Sequence, residues 1–163
     1  MVRHKREKTF FSSMNKPILA FRYGLLVAII IFLVDQIIKW YTQTLSLGES
    51  ITLIPHILSL TYTTNTGVAF GLFQGNNVLF IWISIMIFGL LIYWYDEFDT
   101  KLSSTAFWLI IAGLFGNLLD RLVHGHVIDM FDLGWFPIFN VADAAISVAV
   151  VLLIVNEIWS YKK

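Results

Sequence analysis

The chain has 163 residues, of which 58% are hydrophobic and only 13% are charged, and its formal net charge at pH 7 is zero. Soluble globular proteins are about 45–50% apolar and about 25% charged, so this composition indicates a membrane protein. The balanced charge argues against a nucleic-acid partner, and the absence of cysteine excludes disulfides, thiol nucleophiles and thiolate metal sites.

The N-terminal residues 1–18 are rich in Lys and Arg and are predicted to form a solvated cytoplasmic tail. An apolar stretch follows without a small-residue cleavage site, which predicts a retained first span at residues 19–41 rather than a removed signal peptide. A spanning helix needs about 20 apolar residues. Three more segments meet this condition, at residues 77–95, 105–123 and 140–160.

The distribution of Lys and Arg predicts the orientation of these four spans. Nine of the 11 basic residues fall near the N-terminus, in the loop at 96–104 or at the C-terminus. Four spans place all three regions on one side, so the positive-inside rule makes both termini cytoplasmic. The segments 42–76 and 124–140 contain no Lys or Arg and would face outward.

The first outward segment is predicted to carry β-structure over about residues 45–75. Residues 49–64 are rich in β-branched and aromatic side chains, and Pro55-His56 interrupts them. This pattern is typical of two short strands, which we expect to rest at the membrane surface. Asn65-Thr66-Gly67 then indicates a turn, since Asn and Gly tolerate positive φ.

Charged residues at the outer end of the first span admit two interpretations. Asp35 and Lys39 are four residues apart, so they lie on one helix face and can form an interfacial ion pair with no further role. Alternatively, they belong to a larger polar network at the outer surface.

The third span carries polar and small residues on one face. Gly113 and Gly116 would let another helix approach closely. They do not account for Asn117, Asp120 and Arg121 at the outer end of the same span. Buried amides and charges need partners, so these three residues indicate a polar network.

Two aspartates occupy costly positions near the start of the fourth span. Asp129 lies in the short stretch before the span, and Asp143 lies at its head. Asn140 is a preferred N-cap, and an acid three residues later resembles a capping box, so helix capping alone is one interpretation. The other is functional, because carboxylates near a bilayer are rare and two of them brought together can perform acid–base chemistry on a membrane-embedded substrate.

Other kinds of chemistry and other classes of protein have weaker support. His124-x-His126 could bind a metal, but two imidazoles without cysteine are a weak signal. A Ser–Lys pair using Lys39 is a poor fit. A small transporter or channel would place polar residues near the bilayer midplane and on both sides. A purely structural membrane subunit would not need two acids facing one loop, and the Gly-x-Gly-Asp motif of presenilin-like proteases is absent.

Five motifs in this chain resemble those of the bacterial lipoprotein signal peptidases (signal peptidase II), over about residues 19–160. They are Asp35-Gln36-x-x-Lys39, Asn65-Thr66-Gly67-Val68-Ala69-Phe70-Gly71, Gly116-Asn117-x-x-Asp120-Arg121, Val127-Ile128-Asp129 and Phe139-Asn140-Val141-Ala142-Asp143. The resemblance implies an all-α membrane protein with four transmembrane helices, a small extracytoplasmic β-sheet and a short surface helix, located in the bacterial cytoplasmic membrane.

The resemblance also implies an activity. The protein would be an aspartyl endopeptidase that cleaves diacylglyceryl-modified prolipoproteins just before the lipidated cysteine, with Asp129 and Asp143 as the dyad that activates water. It implies no metal or cofactor. The expected partners are the lipidated substrate, bilayer lipids and cyclic-peptide antibiotics such as globomycin, and we expect a monomer with its active site near the outer face.

Ten further residues are expected to bind substrate or support the dyad. We expect the amides to hold the substrate backbone or orient the dyad, and Arg121 to bind a carboxylate or substrate carbonyls. Phe139 would line the path of the lipidated substrate, and small residues such as Ala142 would shape grooves for its acyl chains. The full set is Asn65, Gly67, Asn117, Asp120, Arg121, Phe139, Asn140, Ala142, Asp35 and Lys39.

Overall fold

The computed structural model describes residues 18–67 and 73–161. The predicted tail at residues 1–18 lies outside this part of the chain except for its last residue. The elements in chain order are α1 (Ile18–Thr42), β1 (Ser50–Ile54), β2 (Leu58–Asn65), α2 (Asn77–Tyr93), a short 3-10 helix (Tyr95–Glu97), α3 (Lys101–Val123), β3 (Val127–Asp132) and α4 (Val141–Tyr161).

Three of the described helices, α1, α3 and α4, are long and apolar enough to cross a membrane, and α2, with 17 residues, is shorter. The prediction of membrane spans is therefore confirmed for these three. The second predicted segment ends two residues early, at Tyr93, because the 3-10 helix follows it. Helix α3 begins at Lys101 rather than 105, because the side chain of Thr100 accepts a hydrogen bond from the Ser103 backbone N–H at 3.0 Å and caps the helix.

The strands form one antiparallel sheet in the order β1-β2-β3. The two strands expected within residues 49–64 are confirmed, but the third was not predicted. Thr63 of β2 pairs with Asp129 of β3, and most of β3 is buried. In the described part of residues 45–75 there is no helix, so the expected surface helix has no counterpart there.

Helix α3 lies at the centre of the bundle and packs against each of the other three helices. Its glycines allow α4 to approach closely. A Cβ on Gly113 would lie 2.5 Å from the Ala142 carbonyl oxygen and 2.6 Å from Ile146 Cγ1, and one on Gly116 would lie 2.8 Å from Asp35 Oδ2. The close approach expected from these glycines is confirmed. Ala142 is also buried in this contact rather than facing a lipid groove.

The inner part of the bundle is apolar. Two clusters of small and aromatic side chains fill it, and burial of their apolar surface stabilises the packing at roughly 25 cal/mol per Å². One cluster contains Ala28, Phe107, Trp108 and Ala112, and the other contains Ala106, Leu109, Ala145 and Ala149. The buried polar side chains lie mainly at the other end of the helices, next to the sheet.

Candidate active site

A backbone link between β3 and α4 determines where the two aspartates lie. The chain leaves β3 and returns so that Phe131 N–H donates to the Phe139 carbonyl at 2.8 Å and Phe139 N–H donates to the Phe131 carbonyl at 3.2 Å. Helix α4 begins two residues after this bridge. The bridge therefore holds Asp143, in the first turn of α4, beside Asp129 on β3.

Asn140 lies between the two carboxyl groups. Its Nδ2 donates to Asp129 Oδ1 at 2.7 Å, and its backbone N–H donates to Asp143 Oδ2 at 3.4 Å. Its Oδ1 accepts from the backbone N–H of Asp143 at 2.8 Å. The capping interaction expected from the sequence is thus present, and the residue that caps α4 also holds Asp129.

Neutral amides bind the remaining carboxylate oxygens. Asn65 Nδ2 donates to Asp129 Oδ2 at 3.1 Å, and Asn117 Nδ2 donates to Asp143 Oδ1 at 2.8 Å. Across the described ranges, neither Asp129 nor Asp143 has a basic group within ion-pair distance. The two carboxyl groups are therefore held in place by groups that do not neutralise their charge.

The environment of Asp129 favours its protonated form. Burial, followed by the charge of the nearby Asp143, raises the pKa of Asp129 from 3.8 to about 6, although hydrogen bonds from Asn65 and Asn140 and the charge of Lys39 oppose the shift. Only 3% of the Asp129 surface is exposed. A carboxyl that titrates this close to neutrality can exchange a proton during a reaction.

A second pair of acids lies behind the first. Lys39 Nζ is 2.7 Å from Asp35 Oδ2 and 2.8 Å from Asp120 Oδ2, and each of these side chains is 1% exposed. We call these three residues the lysine cluster. Lys39 Nζ also donates to Asn117 Oδ1 at 3.1 Å, which orients the amide so that its Nδ2 faces Asp143. Of the two interpretations of Asp35 and Lys39, the structure supports a polar network, because both side chains are buried rather than exposed at an interface.

The lysine cluster also joins separate elements. Ala142 N–H donates to Asp35 Oδ1 at 2.9 Å, and Ile128 N–H donates to Asp120 Oδ2 at 3.1 Å. Gln36, for which no role was predicted, donates to Asp120 Oδ1 at 3.1 Å and to Asp35 Oδ2 at 3.2 Å. Through these bonds the cluster ties α1 and α3 to β3 and to the first turn of α4.

Arg121 binds backbone carbonyls rather than a carboxylate. Its NH2 group donates to the Gly67 carbonyl at 3.2 Å and its NH1 group to the Asn117 carbonyl at 3.4 Å. The guanidinium lies 5.3 Å from the centre of the Phe80 ring. Its Nε–H is buried and has no hydrogen-bond partner among the described residues. This donor is free to bind a guest molecule.

A cavity of about 600 Å³ contains both carboxyl groups. Part of its wall is polar. The rest is an apolar surface formed by side chains of the segment 133–139 and by Ala144, Ile146 and Val148 of α4. Sequence reasoning missed residues 133–138, although Trp135-Phe136-Pro137 is an apolar run in a segment predicted to be a loop and was a signal for them. The polar lining residues are Asn65, Asn117, Arg121, Asp129, Asp143 and Ser147.

The structure also shows where Phe139 and the two histidines lie. Phe139 lines the cavity, as expected for a residue on the substrate path. His124 and His126 lie with ring centres 6.0 Å apart. Within residues 18–67 and 73–161, no group of three or more metal-binding side chains occurs. Residues 68–71 of the second motif lie outside the described residues.

Known proteins are similar to this chain in sequence and in fold. The family model of signal peptidase (SPase) II matches residues 27–159. The lipoprotein signal peptidase of Halothermothrix orenii is 36% identical over 140 residues, which is 85% of this chain and 96% of the relative. That of Lactobacillus johnsonii is 37% identical over 144 residues, covering 85% and 94%. A bacterial membrane enzyme solved by the in meso method at 2.3 Å matches with a TM-score of 0.81 and 32% identity, over 85% of this chain and 89% of the other.

Proposed function

This chain belongs to the signal peptidase II family of membrane proteases, and we propose that it removes the signal peptide of diacylglyceryl-modified prolipoproteins with an aspartate dyad. One observation carries the proposal: Asp129 and Asp143 line the same cavity and are both held by Asn140. Two buried carboxyls that share a site cannot both ionise easily, so one of them keeps a proton.

The dyad then hydrolyses the peptide bond by acid–base catalysis. The ionised carboxyl takes a proton from a bound water, whose oxygen attacks the carbonyl carbon of the scissile bond. The protonated carboxyl donates to the developing oxyanion. Collapse of this intermediate breaks the C–N bond, and the dyad returns a proton to the leaving amine. The shared proton belongs to the pair, so neither Asp129 nor Asp143 alone defines the titration.

The surrounding residues hold the dyad and the substrate. Asn65, Asn117 and Asn140 keep the carboxyl oxygens in fixed positions, since each donates an amide N–H to one of them. The buried, unpaired Nε–H of Arg121 lines the same cavity and would bind a backbone carbonyl of the extended substrate. Pre-organised donors of this kind contribute strongly to catalysis, at about 10²–10³ in rate for a single donor.

The shape of the cavity supports a lipid-modified substrate. It begins at the dyad and continues along α4 to Val148, among residues of a helix that is long enough to span a membrane. A peptide bond next to a lipidated cysteine would reach the dyad while its acyl chains stay in apolar surroundings. We place the cleaved bond just before that cysteine. Globomycin-type cyclic peptides would compete for the same cavity.

The proposed topology counts α2 as a membrane-spanning helix in addition to α1, α3 and α4. Its 17 residues extend about 26 Å, close to the thickness of a bilayer core. Four crossings put both termini on the cytoplasmic side of the inner membrane, where nine of the 11 basic residues then lie. The sheet and the dyad face outward. We expect the protein to act as a monomer, because one chain supplies all the groups named above.

A cleavage assay with defined precursors tests the proposed function. The purified full-length protein is incubated with a precursor carrying a diacylglyceryl cysteine and, in parallel, with the same precursor unmodified, and the products are weighed by mass spectrometry. We expect cleavage of the modified precursor alone, before the lipidated cysteine and unaffected by EDTA. Cleavage at another bond, no cleavage, or a loss with EDTA that zinc restores would contradict the proposal, and the last result would point to His124 and His126.

A further inference from the structure

The hydroxyl group of Ser147 differs from most other hydroxyl groups in the helices in its hydrogen bonding. Four described Ser or Thr side chains donate to the backbone carbonyl four residues earlier, as is usual for hydroxyls in apolar helices. These are Thr42, Ser84, Thr105 and Ser160, with distances of 2.8, 2.8, 2.8 and 2.9 Å. Ser147 of α4 makes no such bond and has no hydrogen bond with any other described residue.

Ser147 faces the cavity that contains the dyad. It follows Asp143 by four residues, so the two lie on the same face of α4, and Ser147 lies about 6 Å further along the helix. Helix α4 begins beside the sheet and runs into the apolar bundle. Ser147 is therefore a hydroxyl on the membrane side of the dyad.

The cavity-lining neighbours of Ser147 along α4 are apolar. They are Ala144, Ile146 and Val148, and the same cavity is also lined by the aromatic residues Trp135, Phe136 and Phe139. Ser147 is an exposed residue of the cavity wall, so its hydroxyl is open to a molecule that fills the cavity. A bound molecule with an acceptor at this depth would satisfy it.

We propose that Ser147 is a specificity residue that donates a hydrogen bond to a carbonyl oxygen of the bound lipid-modified precursor; this rests on the function proposed above. Two carbonyl groups of such a substrate can reach this depth. One belongs to the peptide near the scissile bond, which must be extended there and so lacks helical partners for its carbonyls. The other belongs to the esters of the diacylglyceryl group.

Kinetics of variants test the proposal. In Ser147→Ala, we expect kcat/KM for the diacylated precursor to fall about 3- to 10-fold, the usual effect of one neutral hydrogen bond. Ser147→Thr keeps the hydroxyl and should recover activity to within about twofold of the wild type. Ser104→Ala is the matched control, because Ser104 is also a helical hydroxyl without a side-chain bond but does not line the cavity.

A substrate with ether-linked chains identifies the acceptor. If the acceptor is an ester carbonyl, the wild type cleaves the ether substrate more slowly and Ser147→Ala causes no further loss. If it is a peptide carbonyl, Ser147→Ala causes the same loss on both substrates. Full activity of Ser147→Ala, or a loss that Ser147→Thr does not recover, would overturn the inference. Failure of the wild type to cleave the precursor would overturn the proposed function instead.

Discussion

Two pairs of aspartates lie at the end of the bundle beside the sheet, and different groups hold them. In the lysine cluster, Lys39 lies within 2.8 Å of both Asp35 and Asp120. In the dyad, the described groups that donate hydrogen bonds to Asp129 and Asp143 are all neutral amides. The positive charge of a lysine attracts each carboxylate that it contacts, whereas neutral amides stabilise a carboxylate through hydrogen bonds alone. We therefore expect the same residue type to serve stability in one region and catalysis in the other.

The two regions are also connected. Asn117 accepts a hydrogen bond from Lys39 and donates one to Asp143. The lysine cluster thus fixes the position of a dyad carboxyl without neutralising it. If this division holds, substitutions in the lysine cluster should act first on folding, and conservative substitutions in the dyad should act on catalysis.

The largest expected effect on stability is that of Lys39→Met. It leaves Asp35 and Asp120 as buried, unpaired acids, and removing one partner of a buried ion pair costs about 3–5 kcal/mol. We expect a strongly lowered melting temperature in detergent, or failure of the protein to accumulate. Lys101→Met, at the exposed start of α3, is the control and should melt like the wild type. An unchanged melting temperature for Lys39→Met would remove the distinction between the two regions.

Asp129→Asn should stabilise the protein at neutral pH. The folded-state pKa of Asp129, about 6, lies above its ordinary 3.8, so its stabilising contribution is present below pH 3.8 and is lost as pH rises through 6. The cost of ionising it approaches about 3 kcal/mol. An uncharged Asn avoids this cost. Its NH2 group would face the donor amide of Asn65 or Asn140, but the neutral hydrogen bond lost in this way is worth only about 0.5–1.5 kcal/mol. Melting temperatures should therefore exceed those of the wild type at pH 8, with a difference that shrinks towards pH 4.

The matched variant in the other region is Asp120→Asn. The carboxylate of Asp120 accepts hydrogen bonds from Lys39, Gln36 and the Ile128 N–H, and the NH2 group of Asn would face one of these donors. We therefore expect a lower melting temperature than that of the wild type at pH 8. If Asp129→Asn and Asp120→Asn shifted stability in the same direction, the two pairs of acids would not differ in the way described.

Asn140→Ser tests the link between the two dyad residues. Serine is also a good N-cap, so α4 should keep its first turn, but its short side chain cannot reach Asp129. We expect a folded protein that is about 1–3 kcal/mol less stable, because Asn140 Nδ2 also donates to Asn117 Oδ1 and to the Ile128 carbonyl. We expect kcat to fall by about 10²-fold, since one positioned donor to Asp129 is lost. Asn76→Ala removes an exposed amide before α2 and should leave kcat unchanged. Normal turnover by Asn140→Ser would argue against its role in the dyad.

The smallest effect concerns the glycines that bring the helices together. In Gly113→Ala, the new Cβ would meet the carbonyl of Ala142 and the side chain of Ile146, so we expect a loss of about 1–3 kcal/mol. Nothing described lies within 4 Å of a Cβ on Gly89 in α2, and Gly89→Ala should be neutral or stabilising by up to about 1 kcal/mol. Equal melting temperatures for both variants would contradict the close packing of α3 and α4.

Sequence reasoning worked where a local pattern carries the information. Hydrophobic length located the helices, and the cost of a carboxylate near a bilayer singled out Asp129 and Asp143. The fold places both in one cavity, while their catalytic role stays a prediction. The pair Asp35 and Lys39 was visible because a helix puts residues four apart on one face. Its second acid, Asp120, could not be paired with Lys39 from the sequence, because 81 residues separate them and only tertiary packing joins them.

Strand β3 shows the opposite case. Its sequence, Val127 to Asp132, contains an acid at its centre and is too short to show a clear period, so it looked like a polar connection. The apolar residues around Asp129 were the missed signal. The strand forms because β2 offers a partner on one edge and Phe139 bonds to the same strand. Neither contact is local in sequence.

The most direct test of the central claim is the turnover of single dyad variants. Asp129→Asn and Asp143→Asn are assayed on a diacylated precursor beside Asp132→Asn, which alters an acid at the end of the same strand, outside the cavity lining. We expect both dyad variants to fold and to fall below about one-thousandth of wild-type kcat, while Asp132→Asn cleaves normally. Wild-type turnover by either dyad variant would contradict a mechanism in which these two carboxyls share the proton transfers.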